Sequence, residues 1–255
     1  MILEALNYAA SWPLTSAAHR PFIRSSVNLS ARANRCGKAW AEHERRTKGA
    51  MLKAAEGCRQ RRTAVILGSG LLRDVPVIAL SRMFDTVVLV DLVHLASVRG
   101  WIAMKGLKNV RLIERDLSGL DDFLAGTTPD PLSFLRQVPY LDFVASANLL
   151  SQIGIGAERR IARADGGVAA ADAVPLLIRA HLDGLQQVAA TTCLVTDVSY
   201  RVIDRAGRCH ETVDLLHGVD PGDPLETWDW PVIPFGEESR DYQIVHSVIS
   251  RQMAP

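Results

Sequence analysis

The sequence predicts an α/β fold: a parallel sheet flanked by helices, ending in an antiparallel hairpin and preceded by a basic helical cap. Three observations predict it. Short apolar runs alternate with helical stretches from Thr63 to Asp197. The first of those runs ends in Gly68-Ser69-Gly70. Beyond Glu226 two strand-like pieces follow one another with no long helix between them. Alternating strands and helices with short connections favour right-handed crossovers and a parallel sheet.

Each element has its own signal. Met1 to Arg24 reads as irregular chain or short helix, punctuated by Pro13 and Pro21. Ser25 to Cys58 carries Trp40, Thr47, Met51 and Ala54 at helical spacing on one face, with Gly37 and Gly49 as points where it breaks. Thr63–Leu67 is a buried parallel strand, because it is a continuous apolar run followed by glycine. A helix over Val75–Met83, a strand over Thr86–Asp91, a helix over His94–Met104 and a strand over Val110–Glu114 come next. Leu141–Ala147 is the fourth strand, Ala180–Val188 a helix and Cys193–Asp197 the fifth strand. Glu226–Pro234 and Arg240–Gln252 form the terminal hairpin. The expected division is a cap over residues 1–60 and a main domain over 61–255.

The 255 residues suffice for one large α/β domain with an extension, and 48% apolar residues with 22% charged ones mark a globular chain. No apolar run is long enough to span a bilayer, and Met1 to Trp12 lacks the pattern of a secretory signal. Cys36, Cys58, Cys193 and Cys209 form no CxxC pair, so they read as free thiols of a reducing, cytoplasmic setting, and no metal is expected. The charge is uneven. Residues 1–62 hold 12 Lys and Arg against 4 Asp and Glu, whereas the remainder holds 17 against 24. A basic segment beside an acidic body either attracts an anionic ligand or binds the body itself.

The chemistry concentrates at strand ends. Glycine at a strand-to-helix turn lets backbone approach a ligand, and a helix N-terminus offers free N–H groups. Asp91 ends the second strand, where a carboxylate can accept both hydroxyls of a ribose. Asp116 follows the third strand, either as a ligand contact or as a helix cap before Leu117. Asn148 and Gln152 follow the fourth strand and can hydrogen-bond a ligand, with helix capping the alternative for Asn148. Tyr200 and His210 follow the fifth strand. In the cap, Arg35, Trp40, His43 and Lys48 combine aromatic and basic groups, and His43 is a candidate general base.

Residues 63–150 resemble the class I S-adenosylmethionine-dependent methyltransferases. The matching pieces are Val65-Ile-Leu-Gly-Ser-Gly70, Val88-Leu-Val-Asp91, Val110-Arg-Leu-Ile-Glu-Arg-Asp116 and Asp142-Phe-Val-Ala-Ser-Ala-Asn148. With the fifth strand and the hairpin, the resemblance reaches from about residue 60 to 255. It implies a Rossmann-like, doubly wound, seven-stranded sheet with one reversed strand. It implies S-adenosylmethionine as cofactor, with Gly68, Ser69, Gly70 and Asn148 at the methionine part, Asp91 at the ribose, and Asp116 with Leu117 at the adenine. Two departures stand out: the third glycine of the methyltransferase loop is replaced by Leu72, and that of a dinucleotide fingerprint by Arg73.

The resulting expectation is methyl transfer to a small molecule, an anionic one among the alternatives, with His43, Asn148, Gln152 and Tyr200 as catalytic candidates. Nucleic acid is disfavoured, because the Asn-Pro-Pro-Tyr type of sequence used for base amines is absent at Asn148. The rival expectations are an NAD(P)-dependent oxidoreductase and an inactive methyltransferase-like scaffold.

Overall fold

A computed structural model describes residues 2–163 and 169–253. Three helices come first: α1 (Ile2–Ser11), α2 (Ile23–Arg35) and α3 (Gly37–Glu56). Then follow β1 (Thr63–Leu67), α4 (Val77–Met83), β2 (Thr86–Asp91), α5 (Ala96–Met104), β3 (Val110–Glu114), α6 (Leu120–Leu124) and β4 (Leu141–Ala147). The chain continues through α7 (Leu150–Arg163), α8 (Ala169–Gln186), β5 (Thr191–Asp204), β6 (Cys209–Asp214), β7 (Glu226–Ile233) and β8 (Tyr242–Met253).

The sheet has the order β3-β2-β1-β4-β5-β8-β7. β1 to β5 are mutually parallel, and β8 runs antiparallel to both β5 and β7. This path of seven strands with one reversed member matches the expected sheet. The eighth strand is a departure. β5 runs past the end of β4, and β6 pairs with that overhang from Ser199 to Ile203. Tyr200, expected to follow the fifth strand, therefore lies inside β5, and His210 lies inside β6.

The period-two alternation of β1 separates two cores. Ala64 and Ile66 face a layer containing α3, α4 and α5, while Val65 and Leu67 face α6, α7 and α8. α3 belongs to the first layer: Met51, Ala54 and Ala55 are fully buried against the sheet beside Phe143, Cys193 and Val248. The helical face expected from Trp40, Thr47, Met51 and Ala54 is buried as a unit, with His43 added to it. The break expected near Gly37 occurs between α2 and α3, whereas α3 passes through Gly49 without interruption.

Three of the basic N-terminal residues pair with acids of the body. Arg32 pairs with Glu237 and Glu238, Arg35 with Glu237 at 2.6 Å, and Arg62 with Asp142 at 2.8 Å. Trp40 Nε1–H donates to the carbonyl of Val232 at 3.2 Å and fixes α3 to the terminal hairpin. Of the two alternatives for the charge asymmetry, attraction between the two parts of the chain is the one seen at these residues. No described helix is long and apolar enough to cross a membrane.

Candidate functional site

The carboxyl ends of β1, β2 and β4 meet at the glycine turn. Gly68 and Ser69 N–H both point to the carbonyl of Val90, at 2.9 and 3.3 Å, which ties the turn to β2. Gly70 N–H donates to Asp91 Oδ2 at 2.7 Å, and Leu92 N–H donates to Asp91 Oδ1 at 2.7 Å. Burial pushes the Asp91 carboxyl up, opposed by the N–H groups of Gly70, Leu92 and Val93.

The two glycines differ. Gly70 has φ of +45°, and a Cβ there would meet nothing closer than Asp91 Oδ2 at 3.8 Å. A side chain there would meet only ordinary contacts, with Asp91 Oδ2 and the Gly68 carbonyl. Gly68 has φ of +73°, but a Cβ there would lie 2.5 Å from Leu149 Cγ and 2.7 Å from the carbonyl of Ala147. Its lack of a side chain lets Leu149 close over β1. Ser69 points inward, its Oγ 3.1 Å from His94 Nε2. Leu72, at the position of the missing third glycine, has φ of +61°, a conformation that ordinarily favours glycine. The helix after the turn begins only at Val77, two residues later than expected, so no helix N-terminus opens at the turn itself. The intervening residues carry Asp74 into the site.

Asp74, Asn148 and His43 form a linked group. Asn148, at φ of +50°, turns its amide inward instead of capping α7. Its Nδ2 donates to Asp74 Oδ2 at 2.7 Å and lies 3.3 Å from His43 Nε2. Its Oδ1 is buried without a protein partner. Burial pushes the Asp74 carboxyl up, against the hydrogen bond from Asn148. His43 is 2% exposed, accepts a hydrogen bond at Nδ1 from Trp228 Nε1–H at 3.1 Å, and stacks on Trp230 at 3.9 Å. Burial holds its pKa down at about 4. These contacts place the buried His43 ring among Trp228, Trp230 and Asn148. Trp228 engages its Nδ1 lone pair and Nε2 lies against the Asn148 amide, so both ring nitrogens face protein groups.

Asp116 accepts from Ser118 N–H at 2.8 Å and from Arg160 at 2.9 Å, so its carboxylate shapes the turn before α6. Leu117 is buried in the second core. Gln152 is exposed on α7. His210 Nε2 pairs with Asp204 at 2.8 Å on β6.

A second group adjoins the first. Asp197, on β5, is 1% exposed. Ser151 Oγ–H donates to its Oδ1 at 2.6 Å, and His246 Nδ1–H, from β8, donates to its Oδ2 at 2.6 Å. Tyr200 stacks on the His246 ring at 5.7 Å, and Trp230 meets it edge-on at 5.8 Å. Trp230 thus separates His43 from His246. Sequence reading placed His246 in the last strand and gave it no role, because its partner Asp197 is 49 residues away. Asp74, Trp228 and Trp230 were missed for the same reason. The one available signal was that Asp74 and Asp197 are carboxylates close to strand ends in otherwise apolar surroundings.

No family model matches the sequence, and no curated protein matches it. Solved structures resemble it in fold. One is the YcgJ protein from Bacillus subtilis, at 18% identity, 60% of this chain, 51% of that chain and a TM-score of 0.35. This chain thus matches about half the length of that protein. A second is a SAM-dependent methyltransferase from Aquifex aeolicus, at 14% identity, 78% of this chain, 87% of that chain and a TM-score of 0.36. A third is the N-methyltransferase NodS from Bradyrhizobium japonicum WM9 in complex with S-adenosyl-l-homocysteine, at 10% identity, 83% of this chain, 87% of that chain and a TM-score of 0.39. At such scores none of them transfers its substrate or chemistry to this chain. The strand order, the reversed β8 and the glycine turn joined to Asp91 give the chain, by its own geometry, a Rossmann-like α/β fold.

Proposed function

We propose that this protein transfers a methyl group from S-adenosylmethionine to a small molecule. The observation that carries the reading is the Gly70 turn, left without a side chain and joined by its N–H to the Asp91 carboxylate.

The residues present fit that cofactor. The Asp91 carboxylate accepts the N–H groups of Gly70 on Oδ2 and Leu92 on Oδ1, with Val93 also acting on it, and its two oxygens still keep lone-pair capacity for a ribose hydroxyl. The orphaned Asn148 Oδ1 and the Asp74 carboxylate are two acceptors close together, suited to an ammonium group at the amino-acid end. Gly70 in place of any larger residue keeps the backbone approachable between these ends. Asp116 and Leu117 follow β3, on the side where an adenine would extend, with the Asp116 side chain engaged by Arg160. Gly68 and Ser69 serve this arrangement indirectly, by seating Leu149 and His94.

When bound, the cofactor supplies an activated methyl on a sulfonium. The protein aligns the acceptor with that methyl, excludes water and removes a proton where the acceptor carries one. The wall made by His43, Trp228 and Trp230 supports water exclusion, because it is closed by stacking and by the Trp228 to His43 hydrogen bond. Residues 1–60 act as a cap that shares the core of residues 61–255, because α3 is part of the first layer. A small molecule is preferred over a nucleic acid as acceptor: Arg32, Arg35 and Arg62 of the basic segment already face acids of the body. The same pairing withdraws these three arginines from recognising an anionic acceptor.

The test uses S-adenosylmethionine labelled in its methyl group, incubated with the protein and a fractionated small-molecule extract. Label should enter an extractable small molecule. Label recovered only in the unreacted cofactor across all fractions would count against methyl transfer.

A further inference from the structure

We infer that His246 is the general base of the site and that the acceptor is a hydroxyl borne on a planar, aromatic ring. The inference rests on the methyl-transfer reading for the identity of the group transferred, but not for the role of the imidazole.

The argument starts from Asp197. A carboxylate that is 1% exposed is sustained only by donors that satisfy it. It has two: Ser151 Oγ–H on one oxygen and His246 Nδ1–H on the other, both at 2.6 Å. The carboxylate therefore fixes the His246 tautomer, with the proton on Nδ1 and the lone pair on Nε2. Nε2 makes no hydrogen bond to any described residue, and the His246 side chain is 13% exposed. An imidazole with one nitrogen held by a buried carboxylate and the other free is oriented to accept a proton. As the ring becomes positive, Asp197 stabilises it. His43 is the contrast within the same site, because Trp228 occupies its Nδ1 lone pair.

Position supports the role. Asp197 lies just beyond Val195, whose neighbour on β4 is Ala147, so the dyad stands at the carboxyl edge of the parallel sheet. Ser151 follows Asn148 by one helical turn at the start of α7, and Trp230 touches both His43 and His246. The dyad is thus joined to the Asn148 group by two routes. The titratable groups facing His246 are Asp197 and Tyr200 from β5 and His43 from α3. On the neighbouring strands, Arg201 and Asp229 are paired with each other at 2.8 Å.

The surroundings indicate the acceptor. Tyr200 stacks on the His246 ring and Trp230 meets it edge-on, an aromatic border that suits a flat apolar ring. A neutral imidazole suits a hydroxyl that must lose a proton during attack. The hydroxyl proton passes to Nε2, and the oxygen lone pair forms the bond to the methyl carbon. The electrons of the carbon–sulfur bond remain on sulfur, which becomes neutral, and the imidazolium then releases its proton to water.

The test has two readouts besides activity. In nitrogen-15 spectra of the full chain at neutral pH, His246 should show a protonated Nδ1 and a bare Nε2. The opposite tautomer overturns the inference. In the second, S-adenosylhomocysteine binding is first checked by calorimetry, and 4-nitrophenol, whose anion alone absorbs visible light, is then titrated in. With wild type the bound probe should show more anion than free probe at the same pH. His246→Gln should abolish that excess with calorimetric binding of S-adenosylhomocysteine unchanged. Failure of the wild type to bind or ionise the probe, or an excess unchanged in His246→Gln, refutes the role of His246 or the aromatic hydroxyl. Absence of S-adenosylhomocysteine binding with the tautomer and the probe colour as expected would instead refute the methyl-transfer reading and leave the base in place. Should His246→Gln fail to fold, the wild-type tautomer and Asp197→Asn, which should release it, decide the matter.

Discussion

Trp228 Nε1–H donates to His43 Nδ1 across 3.1 Å, joining the terminal hairpin to the third helix inside the molecule. The contact engages the Nδ1 lone pair and makes His43 part of the framework. His43→Ala should therefore cost about 2–4 kcal/mol in urea unfolding, from the lost packing on Trp230 and the orphaned Trp228 N–H. A loss well under ~1 kcal/mol would show that the stack and the hydrogen bond hold nothing.

Buried histidines should set the acid limit of stability. Burial holds the pKa of His43, His94 and His181 down at about 4. The unfolded state binds their protons near pH 6.5 while the folded state does not. Their contribution is present above pH 6.5 and is lost as pH falls through about 4. The raised carboxyls of Asp74 and Asp91 act with the opposite sign, giving stability that is lost as pH rises through their folded values. A difference measurement isolates one histidine. The stability gap between wild type and His181→Gln should shrink by roughly 3 kcal/mol from pH 7 to pH 4 in chemical denaturation. A gap independent of pH would mean that His181 titrates normally.

The two loop glycines should respond differently. Gly68→Ala would push a Cβ into Leu149 Cγ at 2.5 Å and the Ala147 carbonyl at 2.7 Å, and its φ of +73° adds backbone strain. It should lower the melting temperature sharply. Gly70→Ala meets only Asp91 Oδ2 and the Gly68 carbonyl at 3.8 Å, so the fold should survive with a strain of about 1 kcal/mol while S-adenosylhomocysteine affinity falls. Equal melting temperatures for the two variants would contradict this division.

The N-terminal helices should not be removable. Met51 is fully buried in the same core as Phe143 and Val248. Met51→Ala should cost about 2–5 kcal/mol in urea unfolding. Deletion of residues 1–58 should yield aggregated protein, because it uncovers an apolar sheet face. A monomeric, cooperatively folding product would show that the cap is an independent layer.

How much of this was legible in the sequence follows from the range of the interactions. β1 to β4 and the boundary between α2 and α3 were readable because they depend on local runs, periodicity and a break near Gly37. The glycine turn and Asp91 were readable because a strand end and a turn lie a few residues apart. β6 was not, since Cys209–Asp214 is mostly exposed and is held only by the overhang of β5. The Asp197 and His246 dyad and the Asp74 to Asn148 contact join residues 49 and 74 positions apart, and no local pattern encodes them. The setting of His43 is of the same kind. Residue type suggested a base, and only Trp228, 185 residues away, shows which nitrogen is engaged.

The central claim is that Asp91 and the Gly70 turn hold S-adenosylmethionine. Calorimetry of S-adenosylhomocysteine against wild type and Asp91→Ala tests it most directly, with circular dichroism to confirm that both are folded. The wild type should bind, NAD(P)H should not, and Asp91→Ala should lose at least ~30-fold in affinity, about 2 kcal/mol for a charge-assisted pair. A wild type that takes up NAD(P)H in place of S-adenosylhomocysteine, or a folded Asp91→Ala that binds S-adenosylhomocysteine as tightly as wild type, would contradict it.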